Sequence, residues 1–335
     1  MISNNRLLSM KFLVLTLTLI VMSGTALYTG INSILNNNQV QAQQQEQINI
    51  DKVWETLPVL KTPESVIYAP KHDILFVSNI DGKPDQKDQK GFISKVSLSN
   101  GSITELNWLT GLDAPKGMAI YNNSKLYVSD ITDLVEIEIG NGKITNRYNA
   151  PGSKFLNDVV VDNQGNIYVS DTGTNSIYIL DRNLMNNNNN NNNSTSLQIW
   201  LQSPKLDAPN GLYFNDKNNK LIVSSNGADP EKPGGSIKVV NLQNRTITNL
   251  GKEGSTSPIG ILDGIELDAT TGKHYYVTDN PAGKIYIINA DGTGYGTLID
   301  LGKQGSADLA FVIGQNMIII PIMQDNNLVA YKLAE

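Results

Sequence analysis

A short phrase of β-forming residues ending in a small hydroxyl returns along this chain at a spacing that almost by itself sets the fold. Leu75-Phe76-Val77-Ser78-Asn79, Leu126-Tyr127-Val128-Ser129-Asp130, Ile167-Tyr168-Val169-Ser170-Asp171, Leu221-Ile222-Val223-Ser224-Ser225 and Tyr275-Tyr276-Val277-Thr278-Asp279 are copies of it, and Ile318-Ile319-Ile320-Pro321-Ile322 is a degenerate sixth. Their starts fall 51, 41, 54, 54 and 43 residues apart. Repeats of this length build propellers or solenoids rather than a series of independent domains, because each unit buries its apolar faces only against its neighbours.

Each copy is flanked in a regular way. About a dozen residues upstream lies another short apolar run: Glu64-Ser65-Val66-Ile67-Tyr68, Lys116-Gly117-Met118-Ala119-Ile120, Asn157-Asp158-Val159-Val160-Val161, Asn210-Gly211-Leu212-Tyr213-Phe214, Asp263-Gly264-Ile265-Glu266-Leu267 and Ala307-Asp308-Leu309-Ala310-Phe311. Downstream come a third strand, such as Ser176-Ile177-Tyr178-Ile179-Leu180, and a fourth, such as Gly142-Lys143-Ile144-Thr145. Turn formers separate them, Asp291-Gly292 being a strong hairpin signal. No stretch carries a sustained 3.6-residue apolar period, so helices have little support. The expectation is an all-β protein, a six-bladed β-propeller with four antiparallel strands per blade over residues 51–335. The last unit lacks a fourth strand after Tyr331-Lys332-Leu333; residues 53–60 can supply it, closing the ring with an N-terminal strand and removing exposed edges.

The first 28 residues stand apart from the repeat. Arg6 and Lys11 precede an apolar run over residues 12–28, the order of an export signal and about the length of a short membrane span. Signal peptide and membrane anchor both fit, with Val40-Gln41-Ala42 a distant cleavage candidate. Residues 29–50, rich in Asn and Gln, read as a flexible polar spacer. The expected location is therefore extracytoplasmic, secreted or tethered through residues 12–28. The Asn run 186–193 reads as a solvated outer loop, and Asn100, Asn122, Asn192, Asn193 and Asn244 open glycosylation sequons.

Composition narrows the chemistry. Among 335 residues there is no Cys and only two His, which excludes thiolate nucleophiles, disulfides and iron–sulfur clusters and leaves oxygen donors for any metal. A formal net charge of −6 gives no basic surplus for phosphate, so nucleic acid is not an expected partner.

In a propeller the inner strands of all blades open on one face around a central channel, so the residues that start them converge. Here these are Glu64, Lys116, Asn157, Asn210, Asp263 and, near the sixth, Asp308. Asn157, Asn210 and Asp263 follow one another at intervals of 53 residues. With Glu64 they bring two carboxylates and two amide carbonyls to one axis, a set suited to a hard cation that takes roughly six to eight oxygens. The plainer alternative is that Asn and Asp before Gly are turn residues, since both tolerate left-handed backbone angles and bond their own main chain.

The pattern resembles the gluconolactonase, or senescence marker protein (regucalcin), family of six-bladed propellers. The resemblance spans about residues 60–333 and rests on Glu64, Phe155-Leu156-Asn157-Asp158, Pro209-Asn210-Gly211 and Leu262-Asp263-Gly264. It implies one divalent metal, Ca²⁺ first with Zn²⁺, Mn²⁺ or Mg²⁺ as alternatives, held by Glu64, Asn157, Asn210 and Asp263. It also implies that Asp263 is the general base in opening a lactone or related ester. Three departures stand out: Ser65-Val66 follows Glu64 where Gly-Pro is usual in the family, Asn157-Asp158-Val159 stands where Asn-Asp-Gly is usual, and Phe155 stands where sugar-lactone members often carry Arg. They speak against a hydrophilic sugar acid and leave two alternatives, a less polar substrate or none.

Residues 81–90, 130–133, 171–175, 226–234 and 279–283 join second to third strands and are expected to shape the pocket, with Asp130, Asp171 and Asp279 either at its rim or serving as turn residues that stabilise the repeat. Lys116, Phe155, Asp171, Asp279 and Asp308 are the substrate-pocket candidates. His72 and His274 fall in first-to-second-strand turns, on the opposite face, which argues against a histidine-assisted mechanism. Two function classes remain: an exported metal-dependent hydrolase of a small-molecule lactone or ester, and a non-catalytic NHL-like propeller binding a peptide, glycan or protein partner.

Overall fold

The computed structural model describes residues 48–182, 196–229, 232–251, 259–302 and 305–334. The apolar segment 12–28, the spacer up to residue 47 and the Asn run 186–193 lie outside the described residues. Among the described residues, 24 strands form six four-stranded antiparallel sheets, the blades of a propeller, with one short 3-10 helix at Pro204–Leu206. Five blades are built from consecutive strands. The sixth takes three strands from the end of the chain and its outermost one, Ile50–Glu55, from the beginning. The closing strand thus starts three residues earlier than residues 53–60 and ends at Glu55. From Thr56 the chain crosses to the inner strand of blade one, with the Thr56 amide donating to Leu328 O.

The recurring phrase is explained by what each of its residues faces. In blade two, Leu126 and Val128 pack into the cluster shared with blade one, whereas Tyr127 points the other way into the cluster shared with blade three. The same alternation holds for Ile167 and Val169 against Tyr168, and for Tyr275 and Val277 against Tyr276. A strand presents successive side chains to opposite faces, and both faces of a blade are covered, so apolar residues run without interruption. Among the described residues six large apolar clusters result, one at each blade-to-blade interface, and a small seventh joins Ile80, Ala114 and Ile131. Ring closure has its own anchor: Trp54 in the closing strand is 8% exposed, donates Nε1–H to Leu98 O of blade one at 2.8 Å and joins the cluster between blades six and one.

The polar end of the phrase ties the scaffold together. Ser129 Oγ donates to the Asn157 carbonyl, Ser170 Oγ to the Asn210 carbonyl at 2.6 Å and Ser224 Oγ to the Asp263 carbonyl. Each hydroxyl reaches the opening of the next blade's inner strand. The carboxylate that follows takes the amides of the chain entering its own blade: Asp130 accepts from Asp113 N and Ala114 N, and Asp171 from Lys154 N and Phe155 N. These amides have no sheet partner, and a dry interior requires an acceptor for each.

Candidate functional site

The inner strands are Pro63–Ala69, Pro115–Tyr121, Leu156–Val161, Pro209–Asn215, Leu262–Leu267 and Ala310–Val312. Glu64, Lys116, Asn157, Asn210 and Asp263 each occupy the second position of theirs and are all buried, between 1% and 8% exposed. The hydroxyl contacts just described hold the backbones of Asn157, Asn210 and Asp263 at one level.

Blade six is out of step with the expectation. A Cβ built on Gly117 would lie 2.5 Å from Asp158 Cα, and one on Gly264 would lie 2.7 Å from Asp308 Cα. Third positions of adjacent blades therefore touch, and Asp308 is a third-position residue level with Asp158. Ala307 takes its blade's place in the ring. Asp308 and Asp158 both bond the amide that follows them, Leu309 N at 2.8 Å and Val159 N at 2.7 Å, and both reach the next blade, through Ser65 Oγ at 2.7 Å and Leu212 N at 2.6 Å. With Glu266 they line a cavity of about 250 Å³ whose walls are otherwise apolar, including Ile67, Ile120 and Tyr213.

Burial dominates the electrostatics of the ring. Glu64 Oε2 is buried with no hydrogen-bond partner. Burial, and then the neighbouring carboxylate of Asp263, push the Glu64 carboxyl well above its ordinary range. Asp263 is raised to about 6 by burial, against hydrogen bonds from Asn280 and Asn210 that favour its ionised form. Lys116 is the cation beside them, lowered by burial while Glu64 pulls the other way. Its Nζ donates to Pro84 O and Ala114 O, both at 3.0 Å, and sits 4.3 Å from the centre of the Phe155 ring. Lys116 is thus committed to the 81–90 loop and to Phe155.

Other candidates fall elsewhere. Asp130, Asp171 and Asp279, expected at the rim, are 1%, 0% and 4% exposed, and their carboxylates are occupied by backbone amides and, for Asp279, by Tyr286 OH. They fasten the chain behind the ring and leave no free oxygen for a substrate. His72 lies beyond the end of its blade's inner strand, with Nε2 3.4 Å from Asn123 O, and His274 opens a second strand; both are on the opposite face. Thr172, Asn226 and Asn280 lie in loops expected to shape the pocket, though not singled out from sequence, and touch Asn157, Asn210 and Asp263 respectively. Their signal was their place, directly after the repeated phrase in blades three to five.

Among the described residues no three His, Cys, Asp or Glu side chains gather as a metal site. The ring offers two carboxylates and two amides instead. Its donor chemistry, all oxygen with one buried carboxylate oxygen unpartnered, fits a hard cation and not a nitrogen- or sulfur-seeking one.

Among solved structures, a gluconolactonase from Xanthomonas campestris matches with a TM-score of 0.60 at 16% identity, over 88% of this chain and 93% of that one. The fold is that of the gluconolactonase-like six-bladed propellers. A second solved protein, provisionally named a gluconolactonase, matches with a TM-score of 0.60 at 14% identity, over 86% and 93% of the two chains. No family model matches the chain, and no curated protein matches it.

Proposed function

We propose that this propeller is a divalent-metal-dependent hydrolase that opens a lactone or related ester, with Glu64, Asn157, Asn210 and Asp263 as the metal-holding residues. The observation that carries the proposal is the unpartnered, buried Glu64 Oε2 in a ring whose oxygen donors stand on the inner strands of blades one, three, four and five. A buried carboxylate oxygen without a donor is costly unless a cation completes it. The gluconolactonase neighbours support the same reading.

When bound, the cation, Ca²⁺ first, supplies Lewis acidity toward an ester carbonyl. The chain's own residues do the rest. Asp263 accepts the proton of the attacking water, its carboxylate oriented by Asn280 Nδ2 at 3.0 Å. Phe155 and Met323, both half-buried, give the mouth apolar flanks, which favours a lactone or ester less polar than a sugar acid. The basic-then-apolar start of the chain supports action outside the cytoplasm, secreted or tethered through residues 12–28.

The test is a panel of lactones and esters assayed with added Ca²⁺, Mn²⁺ or Zn²⁺, wild type against Asp263→Ala. Hydrolysis that needs both the metal and Asp263 is the expected result. Activity indifferent to both, or none on any member, removes the enzyme reading and leaves a binding propeller.

A further inference from the structure

We propose that Thr172, Asn226 and Asn280 form an outer ring of positioning residues that turn the oxygens of Asn157, Asn210 and Asp263 toward the cation. The inference rests on the metal-binding half of the function proposed above and is independent of hydrolysis.

The three residues occupy one structural position. Each follows the buried second strand of its blade, and each bonds the ring residue of that same blade. Asn157 Nδ2 donates to Thr172 Oγ1 at 3.3 Å, Asn210 Nδ2 donates to Asn226 Oδ1 at 3.1 Å, and Asn280 Nδ2 donates to Asp263 Oδ2 at 3.0 Å. In blades one, two and six the same position holds Ile80, Ile131 and Met323. The polar half of the outer ring therefore covers the three blades whose side chains need orienting. Glu64, without such a neighbour, keeps its unpartnered oxygen.

Hydrogen counting shows why the contacts set direction. A threonine hydroxyl has one proton, and Thr172 gives it to Pro209 O at 2.7 Å. Toward Asn157 it offers only lone pairs, so the Asn157 NH₂ must face it and Oδ1 is left for another partner. Asn210 turns its NH₂ to Asn226 Oδ1 at 3.1 Å, so its Oδ1 is also left over. A cation takes an amide through oxygen and is repelled by its NH₂, so a flipped Asn would remove a ligand.

The experiment is calorimetric titration of the metal-free full-length protein with Ca²⁺ alone, beside thermal melts in chelator. Thr172→Val and Asn226→Leu are expected to weaken Ca²⁺ binding by about 10–100-fold, as loss of a ligand's supporting hydrogen bond does. Thr172→Ser and Asn226→Asp, which keep the acceptor, are expected to restore it, with metal-free melts unchanged throughout. Val and Leu variants that bind Ca²⁺ as wild type does overturn the proposal, as does a loss that follows the melts and is not rescued. A wild type that binds no Ca²⁺ overturns both this inference and the metal half of the function. A rescued split in Ca²⁺ affinity in a protein that opens no lactone supports the outer ring and removes only the hydrolase.

Discussion

The main-chain amide of Asp308 donates to the carbonyl of Glu64 over 3.0 Å, joining the last blade to the first at the level of the site. The carboxylate of Asp308 adds a second link by accepting from Ser65 Oγ, 243 residues away in sequence. One side chain thus takes part in closing the ring and in holding the strand that carries Glu64.

That carboxylate has a consequence for pH. Burial, reinforced by Asp263, raises Asp308 to about 7, far above an unfolded aspartate. Between about pH 4 and 7 the folded state keeps a proton that the unfolded chain has released. Its stabilising contribution is complete below about pH 4 and is lost as pH rises through 7. In chelator, wild type should lose roughly 1–3 kcal/mol more stability than Asp308→Asn between pH 4.5 and 7.5. Urea titrations at several pH values measure it, and parallel curves for the two proteins count against the burial argument.

Glu64→Gln separates stability from binding. The amide carries no charge, so the metal-free variant should be more stable at neutral pH than wild type by about 1 kcal/mol. With Ca²⁺ at 100 times its Kd, wild type gains about 2.7 kcal/mol. The variant gains little, so the order of the two melting temperatures reverses. Melts with and without Ca²⁺ show whether it does.

Trp54 tests closure. Removing its ring and its bond to Leu98 O from the interface of blades six and one should cost about 3–5 kcal/mol in Trp54→Ala. Trp54→Phe, which keeps most of the contact, should lose about 1 kcal/mol. A cost below that for the alanine variant, read from urea unfolding, would mean that the closing strand contributes little.

Phe155 and Met323 make a prediction about substrates. If the reacting group sits over the ring, an alkyl chain of a few carbons lies against these side chains, each buried methylene contributing about 0.8 kcal/mol. Alkyl-substituted lactones should then exceed polyhydroxylated ones roughly tenfold or more in kcat/KM. Phe155→Ala should narrow that preference while leaving Ca²⁺ affinity as it is.

The blades were legible because a propeller repeats its burial pattern with its sequence. The phrase ending Val169-Ser170-Asp171 faces the same surroundings in every blade, so the same residue types recur. Glu64, Lys116, Asn157, Asn210 and Asp263 were legible for the same reason: they open strands whose phase the repeat sets. Asp308 was not, because the sixth blade has no Asn-Gly or Asp-Gly to mark the level, and only its packing against Gly264 shows that it sits one residue deeper. The chain left Asp171 and Asp279 open between rim and turn roles, since nothing local reveals that amides entering the blade would need their oxygens.

From the chain alone, then, came the repeat, the strands and the set of oxygen-bearing side chains, because alternation and period are local properties that a single blade already expresses. The direction in which those oxygens point depends on Thr172, Asn226 and Asn280, and the depth of each carboxylate depends on the neighbouring blade. Both are relations between strands far apart in sequence, and they exist only once the ring has closed.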